Sequence, residues 1–369
     1  MNKVAIVGYG NSKFSREDIP IESLLLSATK SLFDQNPNLS QKNIDVVLVS
    51  TNDNSKYLAA ILSELSGIEP KTAHTVESLC NSGTNSIVSA YSYIASGLGD
   101  IVLVVGAERL DSPGQILEWD KSRGEYKHPI FWGSLFTKSH KRKFNTTEEE
   151  LAIVSAKNHR LAQFNPYAYS NKVYSVEELM NSKILTEDLR VSDCSKPCSG
   201  ASAVILSSET NASKISEKPI WVKGIGQKTL SAGFTKNQDF SSMISTIEAS
   251  KTAFEMAKMK PDDVDVAEVH DAFTICEIMA VEDLGLVKKG EGANYIKKLY
   301  ETEDKKINPR GGLIGAGHPL GATGIAQVVE ITQQLQGNAE KRQIKNLNVG
   351  LIHNMSAAAT SSTVLLLQS

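Results

Sequence analysis

Four residues of this chain combine a reactive side chain with a setting that suits chemistry: Cys80, His270, His318 and His353. Cys80 follows an apolar-to-polar run (HTVESLC) and precedes Asn81, Ser82 and Gly83, where the pattern predicts the start of a helix. A thiol at a helix N-terminus meets free N–H groups and the positive end of the dipole, which lowers its pKa and favours the thiolate. An acyl-carrying nucleophile needs that placement; a buried structural cysteine is the competing reading. His318 stands in Gly311-Gly-Leu-Ile-Gly-Ala-Gly-His-Pro-Leu-Gly-Ala-Thr-Gly324. Glycines at that density let backbone approach a ligand closely, and Pro319 suits a first helical turn. The run lacks the Gly-Lys-Ser/Thr ending of a phosphate-binding P-loop, and Gly8-Tyr-Gly10 lacks the third glycine of a dinucleotide fingerprint.

His270 closes a predicted strand in Glu268-Val-His-Asp-Ala-Phe273, and His353 closes another in Gly350-Leu-Ile-His-Asn-Met-Ser356. Ligands of open α/β sheets bind beyond the C-terminal ends of strands, so these four positions share one kind of edge. His159, on a separate predicted helix, is a further residue that could touch substrate; His74, His128 and His140 have weaker cases.

The elements that must position these residues are written twice along the chain. Lys3–Gly8 (KVAIVG) and Ile220–Gly226 (IWVKGIG) are short strand patterns closed by glycine. Ile21–Phe33 and Ile244–Met259 have helical apolar spacing, and each leads to a strand, Ile44–Ser50 and Val264–His270. The helix beginning after Cys80 and the strand Ile101–Val105 are answered by a helix after His318, reaching about Leu335, and the strand Leu347–Ile352. Ala203–Leu206 matches Thr363–Leu367 in the same way. Strands alternating with helices predict an α/β fold with mostly parallel buried sheets. The expected division is residues 1–110 plus 195–215 for the first half, 216–369 for the second, and 111–194 as an insertion that covers substrate or forms an interface. The insertion carries a basic run, Lys138-Ser-His-Lys-Arg-Lys143, which reads either as a solvated face or as a contact for a nucleotide phosphate, and a capping pattern at Asn145-Thr-Thr-Glu-Glu-Glu150.

Bulk properties narrow the class. The chain has 369 residues, 41% hydrophobic and 22% charged, with a formal net charge of -3. This balance points to neither nucleic acid nor membrane partners. Cys80, Cys194, Cys198 and Cys276 lack the spacing of a zinc site or a disulfide framework. With no signal-peptide layout at the N-terminus, a cytoplasmic setting is expected.

Taken together, the Cys-x-Ser-Gly turn at Cys80, Val105-Gly-Ala-Glu-Arg109, the box at His270, the Gly-His-Pro-x-Gly-Ala-Thr-Gly box and the C-terminal His-Asn element resemble the thiolase superfamily, in the family's order. The box at His270 with His-Asn near the C-terminus is similar to the sterol-carrier-protein-linked and archaeal acetoacetyl-CoA thiolases. The resemblance implies a duplicated, five-layered αβαβα fold with two mixed, mostly parallel sheets, a homodimer or homotetramer, coenzyme A thioesters as substrates and no tightly bound cofactor. It implies that Cys80 takes the acyl group, that His318 accepts its proton, and that His270 helps hold an enolate oxygen. A second oxyanion hole would come from backbone N–H groups of Cys80 and of the Met355–Ser356 turn.

The chain departs from the family where a second cysteine is usual. His353 stands at the C-terminal position and Ala272 within the box, so His353 is the expected acid/base, with Cys276 the alternative one helical turn beyond Ala272. The implied activity is that of an acetyl-CoA C-acyltransferase, an acetoacetyl-CoA thiolase. The alternatives are a thiolase-like acyltransferase or condensing relative with another acceptor, and a non-catalytic acyl-CoA-binding scaffold. The archaeal resemblance further implies a small OB-fold, zinc-bearing partner and association with HMG-CoA synthase.

Overall fold

Val46–Ser50 and Ile101–Glu108 are strands in which every residue is buried, the mark of strands covered on both faces. They belong to a computed structural model that describes residues 3–112, 128–232 and 239–369; residues 113–127 of the expected insertion lie outside the described residues. The first half runs β1 (Val4–Asn11), α1 (Ile21–Gln35), β2 (Val46–Ser50), α2 (Leu58–Ser66), β3 (Thr72–Val76), α3 (Ser82–Ala95) and β4 (Ile101–Glu108). Helices α4 (Pro129–Phe144), α5 (Glu148–Ala162) and α6 (Val176–Met180) follow, with a small hairpin of β5 (Ile184–Thr186) and β6 (Leu189–Arg190). The chain then returns to the main sheet as β7 (Gly200–Ser208), followed by α7 (Glu209–Ile215). The second half comprises β8 (Ile220–Thr229), α8 (Ile244–Ala257), β9 (Val266–Glu268), α9 (Thr274–Asp283), α10 (Gly292–Glu301), α11 (Gly312–Ala316), α12 (Leu320–Gln336), β10 (Val349–Met355) and β11 (Ser361–Gln368).

Three hydrophobic cores stack to make five layers. Helices α1 and α2 pack Leu24, Leu25 and Leu58 against Ala5, Val47 and Val49 on one face of the first half's strands. Residues one position away, Ile6, Leu48 and Val104, face a shared inner core, as the two-residue period of a strand requires. There they meet Ile87 of α3, Ile325 and Val328 of α12, and Ile352 and Leu365 of the second half. On the far side Leu351, Val364 and Leu366 pack against α8 and α9. Helices α3 and α12 thus form the central layer, buried between strands of both halves.

Two details of the sheet depart from expectation. In place of two separate sheets, the described strands form one nine-stranded ladder, β3-β2-β4-β7-β1-β8-β11-β10-β9, because β1 and β8 pair antiparallel at Ala5↔Trp221 and Ile6↔Ile220. Parallel pairing is confined to β2–β3, β2–β4 and β9–β10, and the other ladders are antiparallel. Helical crossovers give the parallel pairs, whereas β10 and β11 are joined by a short turn that can only make a hairpin. The repeat is nearly complete: beside β9, where the first half has β3, Ile307 makes a single parallel bridge to Ala267.

The capping pattern ahead of α5 forms as read. Thr147 Oγ1 accepts from the Glu150 N–H at 3.2 Å, and Glu150 returns the bond to the Thr147 N–H at 2.8 Å. Helix α5 packs on α10, α11 and α9, which ties this part of the insertion to the second half.

Candidate active site

The duplication sets α3 and α12 side by side, and each carries a reactive residue just ahead of its first turn. Cys80 lies in a tight turn, Leu79–Asn81, directly before α3. Leu79 adopts φ +50°, a left-handed conformation that costs a non-glycine residue roughly 1–2 kcal/mol. The turn is pinned from several sides: Leu79 O accepts from Ser82 Oγ at 2.6 Å and Asn52 Nδ2 at 3.2 Å, and Ser78 O accepts from Ser356 Oγ at 2.8 Å. His318 precedes α12 in the glycine-rich run. Sγ of Cys80, one ring nitrogen of His270 and one of His318 lie within 4.8 Å of one another. The two imidazoles meet edge to face at 5.2 Å between centroids.

Hydrogen bonds set the His318 tautomer. Its Nδ1 lies 2.8 Å from Thr323 Oγ1, whose single proton goes to Pro319 O at 2.9 Å. Thr323 must therefore accept from Nδ1–H, which leaves the Nε2 lone pair of His318 free to take a proton. Burial, with His270 and Arg310 adding to it, holds His318 well below the usual histidine pKa. Burial lowers His270 to about 3 against a smaller opposing effect of Asn354. Both imidazoles are neutral at pH 7.

The Cys80 thiol departs from the sequence expectation. Burial, then the carboxylates of Glu108 and Glu77, push it up to about 12 rather than down. The residue belongs to the turn ahead of α3 rather than to its first turn, so the helix terminus does not offset the loss of solvent. Cys80 rests as a thiol.

Two buried carboxylates hold the scaffold. Glu108 Oε2 accepts from Asn52 N, Asn52 Nδ2 and Gly321 N, each at 3.0 Å. One side chain thus joins Asn52, which supports the Cys80 turn, to the N-terminus of α12 beneath His318, where negative charge is favoured. Asp271 accepts from Leu313 N at 2.6 Å, Ile314 N at 3.2 Å and Asn158 Nδ2 at 2.7 Å, which orients the glycine-rich run. Burial and Glu277 push Asp271 up to about 7. Glu277 pairs with the fully buried Lys157 at 2.9 Å.

His353 is not brought to this cluster. Successive residues of β10 point to opposite faces, so His353 turns toward α8 while Asn354 turns inward. Its Nε2 lies 3.0 Å from Thr246 Oγ1, and its Nδ1 accepts weakly from His270 N at 3.5 Å. With Nε2 engaged on α8 and Nδ1 on the His270 backbone, it supports that backbone and is not placed for acid/base work. Asn354, which residue type alone did not single out, donates to Gln327 Oε1 at 2.7 Å and lies against His270. The period of two along β10 is the signal that could have found it.

Cys276 is sealed in the outer core, its thiol pushed up by burial. His159 is buried against Tyr174, outside the reactive cavity. Ser356 N–H is spent on Ser361 O at 2.9 Å, and Met355 lies within the β10–β11 ladder, which argues against the expected backbone hole there. In the basic run Lys138 pairs with Glu187, Lys141 with Glu148 and Asp188, and Lys143 with Asp239, so these lysines are already neutralised.

A cavity of about 270 Å³ opens from Cys80 and His318. Ile130, Trp132, Leu185, Phe273, Leu320 and Ala357 line it. Trp132 stands edge-on to Phe273 at 4.7 Å, giving a stiff aromatic wall. This arrangement can hold an apolar acyl group beside a thiol and a neutral imidazole base.

The chain is similar to known proteins over nearly its whole length. Residues 4–210 match the family model described as "Thiolase, N-terminal domain", and residues 226–369 match "Thiolase C-terminal domain-like". The chain is 32% identical to an acetyl-CoA acetyltransferase of Methanothermobacter thermautotrophicus, covering 99% of each chain. It is also 32% identical to sterol carrier protein 2 of Bos taurus, covering 96% of this chain and 70% of that one. Among solved structures, the "Ltp2-ChsH2(DUF35) aldolase" superposes with a TM-score of 0.88 at 19% identity, covering 100% of this chain and 98% of that one. With both halves matched over nearly their whole length, the chain belongs to the thiolase family and is an acyltransferase.

Proposed function

We propose that this acyltransferase forms or cleaves a carbon–carbon bond between acyl-CoA thioesters as an acetyl-CoA C-acyltransferase, acting on acetoacetyl-CoA by way of an acyl-Cys80 intermediate. The observation that carries the reading is the approach of Cys80, His270 and His318 within 4.8 Å of one another, with Cys80 and His318 lining an apolar cavity. In cleavage, His318 Nε2 takes the Cys80 proton as sulfur attacks the ketone carbon. A neutral imidazole beside a high-pKa thiol makes proton removal and attack concerted, so no resting thiolate is required. The C–C bond then breaks and its electron pair moves onto the departing acyl-CoA as an enolate, whose oxygen His270 holds. Free CoA finally takes the acyl group from Cys80.

Identity of 32% to two acetyl-CoA acetyltransferases supports a CoA thioester as substrate. The name of the solved aldolase couples Ltp2 with a DUF35 component, which supports a partner protein beside this chain. Assembly as a homodimer or homotetramer, association with HMG-CoA synthase and a cytoplasmic setting complete the proposal. Among the described residues no helix is long and apolar enough to cross a membrane.

The test follows loss of acetoacetyl-CoA on adding free CoA, with the intact chain, Cys80→Ala and His318→Ala. Cleavage that vanishes with Cys80→Ala and falls by about 10²–10⁴ with His318→Ala is expected. An intact, folded chain that leaves acetoacetyl-CoA untouched but still acylates Cys80 from another acyl-CoA would move the assignment to a different substrate.

A further inference from the structure

Cleavage leaves an electron pair on the α-carbon of the departing acyl-CoA, and a proton has to reach it. Neither group expected for that task is in place, since His353 faces α8 with both nitrogens engaged and Cys276 is enclosed in the core. Among the described residues lining the cavity, the titratable side chains are Cys80, His128, Cys194 and His318. Cys80 and His318 are committed to acyl transfer. His128 caps α4, its Nδ1 accepting from Ile130 N at 3.2 Å, so the neutral ring keeps Nε2–H, a far weaker acid than a thiol, and has no free lone pair to take the proton back in condensation.

Cys194 remains. It is a half-buried free thiol whose S–H donates to Arg190 O at 3.5 Å, a bond the proton can leave for a stronger acceptor. Its backbone is fixed beside the His270 box: Cys194 forms an antiparallel bridge with Phe273, and Ser195 N–H donates to Ala272 O at 2.9 Å. Cys194, Ser195, Ala272 and Phe273 all line the one cavity. The segment therefore presents a thiol alongside Ala272, a box position that itself has no proton to exchange.

We propose that Cys194 is the second catalytic thiol of this site, giving a proton to the substrate α-carbon in cleavage and removing it in condensation. The assignment rests on the carbon–carbon bond reading above. In cleavage the α-carbon pair takes the Cys194 S–H proton, leaving a Cys194 thiolate. That thiolate takes the proton of incoming CoA-SH, whose sulfur receives the acyl group from Cys80. The Cys80 sulfur leaves with its electron pair and recovers its proton from His318, so every group returns to its starting state. Burial and Asp193 push the Cys194 thiol up to about 12, so it holds its proton at neutral pH, as an acid in this direction must.

The experiment measures two events separately in the full chain: acylation of Cys80 by intact-protein mass, and exchange of the acyl-CoA α-hydrogen for deuterium in D2O. For Cys194→Ala the expected result is Cys80 acylation by acetyl-CoA slowed by no more than about tenfold, because a CoA thiolate can leave without a proton, with exchange and cleavage reduced by at least ~100-fold. Adding Ala272→Cys to that variant, which restores a thiol to the same cavity wall, is expected to recover exchange. Retention of exchange within about tenfold in Cys194→Ala overturns the assignment while leaving the carbon–carbon reading intact. Joint loss of acylation and exchange marks a structural role and overturns it too, as does a folded, acylating double variant without recovery. An intact chain that acylates Cys80 but exchanges no α-hydrogen removes both the assignment and the reading it rests on.

Discussion

The Cys80 thiol stands ahead of a helix that favours its thiolate, inside a protein that removes its water and sets Glu108 nearby. The second pair of influences prevails, so iodoacetamide is expected to alkylate Cys80 more slowly at pH 7 than it alkylates a free thiol. The rate should rise about tenfold per pH unit until the thiol titrates, since only the thiolate reacts. Peptide mass mapping across pH 7–10 would reveal an early plateau below pH 8 if the thiolate were already stabilised. His353 offers a second test at this scale. Replacing it with alanine removes the acceptor of the His270 N–H and opens a void in the core, so His353→Ala is expected to cost roughly 2–3 kcal/mol in denaturant unfolding. Cys80 acylation should survive in the folded fraction, in contrast to its collapse in His318→Ala.

Helices α3 and α12 carry Cys80 and His318 on their leading ends, and the spacing between these helices fixes the distance between the two residues. Gly83 and Gly324 set that spacing by bringing backbone against backbone. A Cβ on Gly324 would stand 2.6 Å from Thr84 N, and one on Gly83 would stand 2.9 Å from Ile325 N. Neither contact is with a flexible side-chain end, so the helices themselves must move. Gly324→Ala is expected to cost about 1–3 kcal/mol by overpacking. It should also slow Cys80 acylation more than a lost stability of that size explains, because misplacement of reacting groups by about 1 Å can cost 10²-fold. Thermal unfolding and acylation rate measured on one preparation would separate the two effects; unchanged acylation would mean that the crossing does not set the site.

Across the whole molecule, the insertion and the second half are joined by a buried polar cluster. Lys157 and Asn158 of α5 meet Glu277 of α9, Asp271 and Asn308 with no side chain exposed. Removing one member of a buried ion pair strands the other, so such clusters are costly to break. The cluster also carries a pH dependence. Asp271 moves from 3.8 up to about 7 on folding, so the folded chain binds its proton more tightly than the unfolded chain does between those values. Its contribution to stability is therefore fully present below about pH 4 and is lost as pH rises through about 7. Asp271→Asn cannot ionise, so the stability advantage of the natural chain over this variant should shrink between pH 4 and pH 7. Urea unfolding of both chains at several pH values would show it, and an advantage that grows with pH would mean that Asp271 is held ionised by Lys157.

Much of the architecture and part of the site are legible in the sequence. The alternation of buried strand runs with helical spacing, repeated in order, predicts the two halves, since period and order are local properties of the chain. Cys80 and His318 are legible because each sits before a helix in a turn whose glycines and serines are themselves a signal. Tertiary structure alone decided which neighbouring side chains join them. His353 and Asn354 differ by one position, and only the register of β10 against β11 and the packing of α8 settle that the histidine faces away. The direction of the Cys80 shift depended on how much protein closes around the thiol. The place of Cys194 beside Ala272 depended on a bridge between residues 79 positions apart. Local pattern encodes elements and their termini, whereas burial, register and long-range contact are fixed only when the layers close.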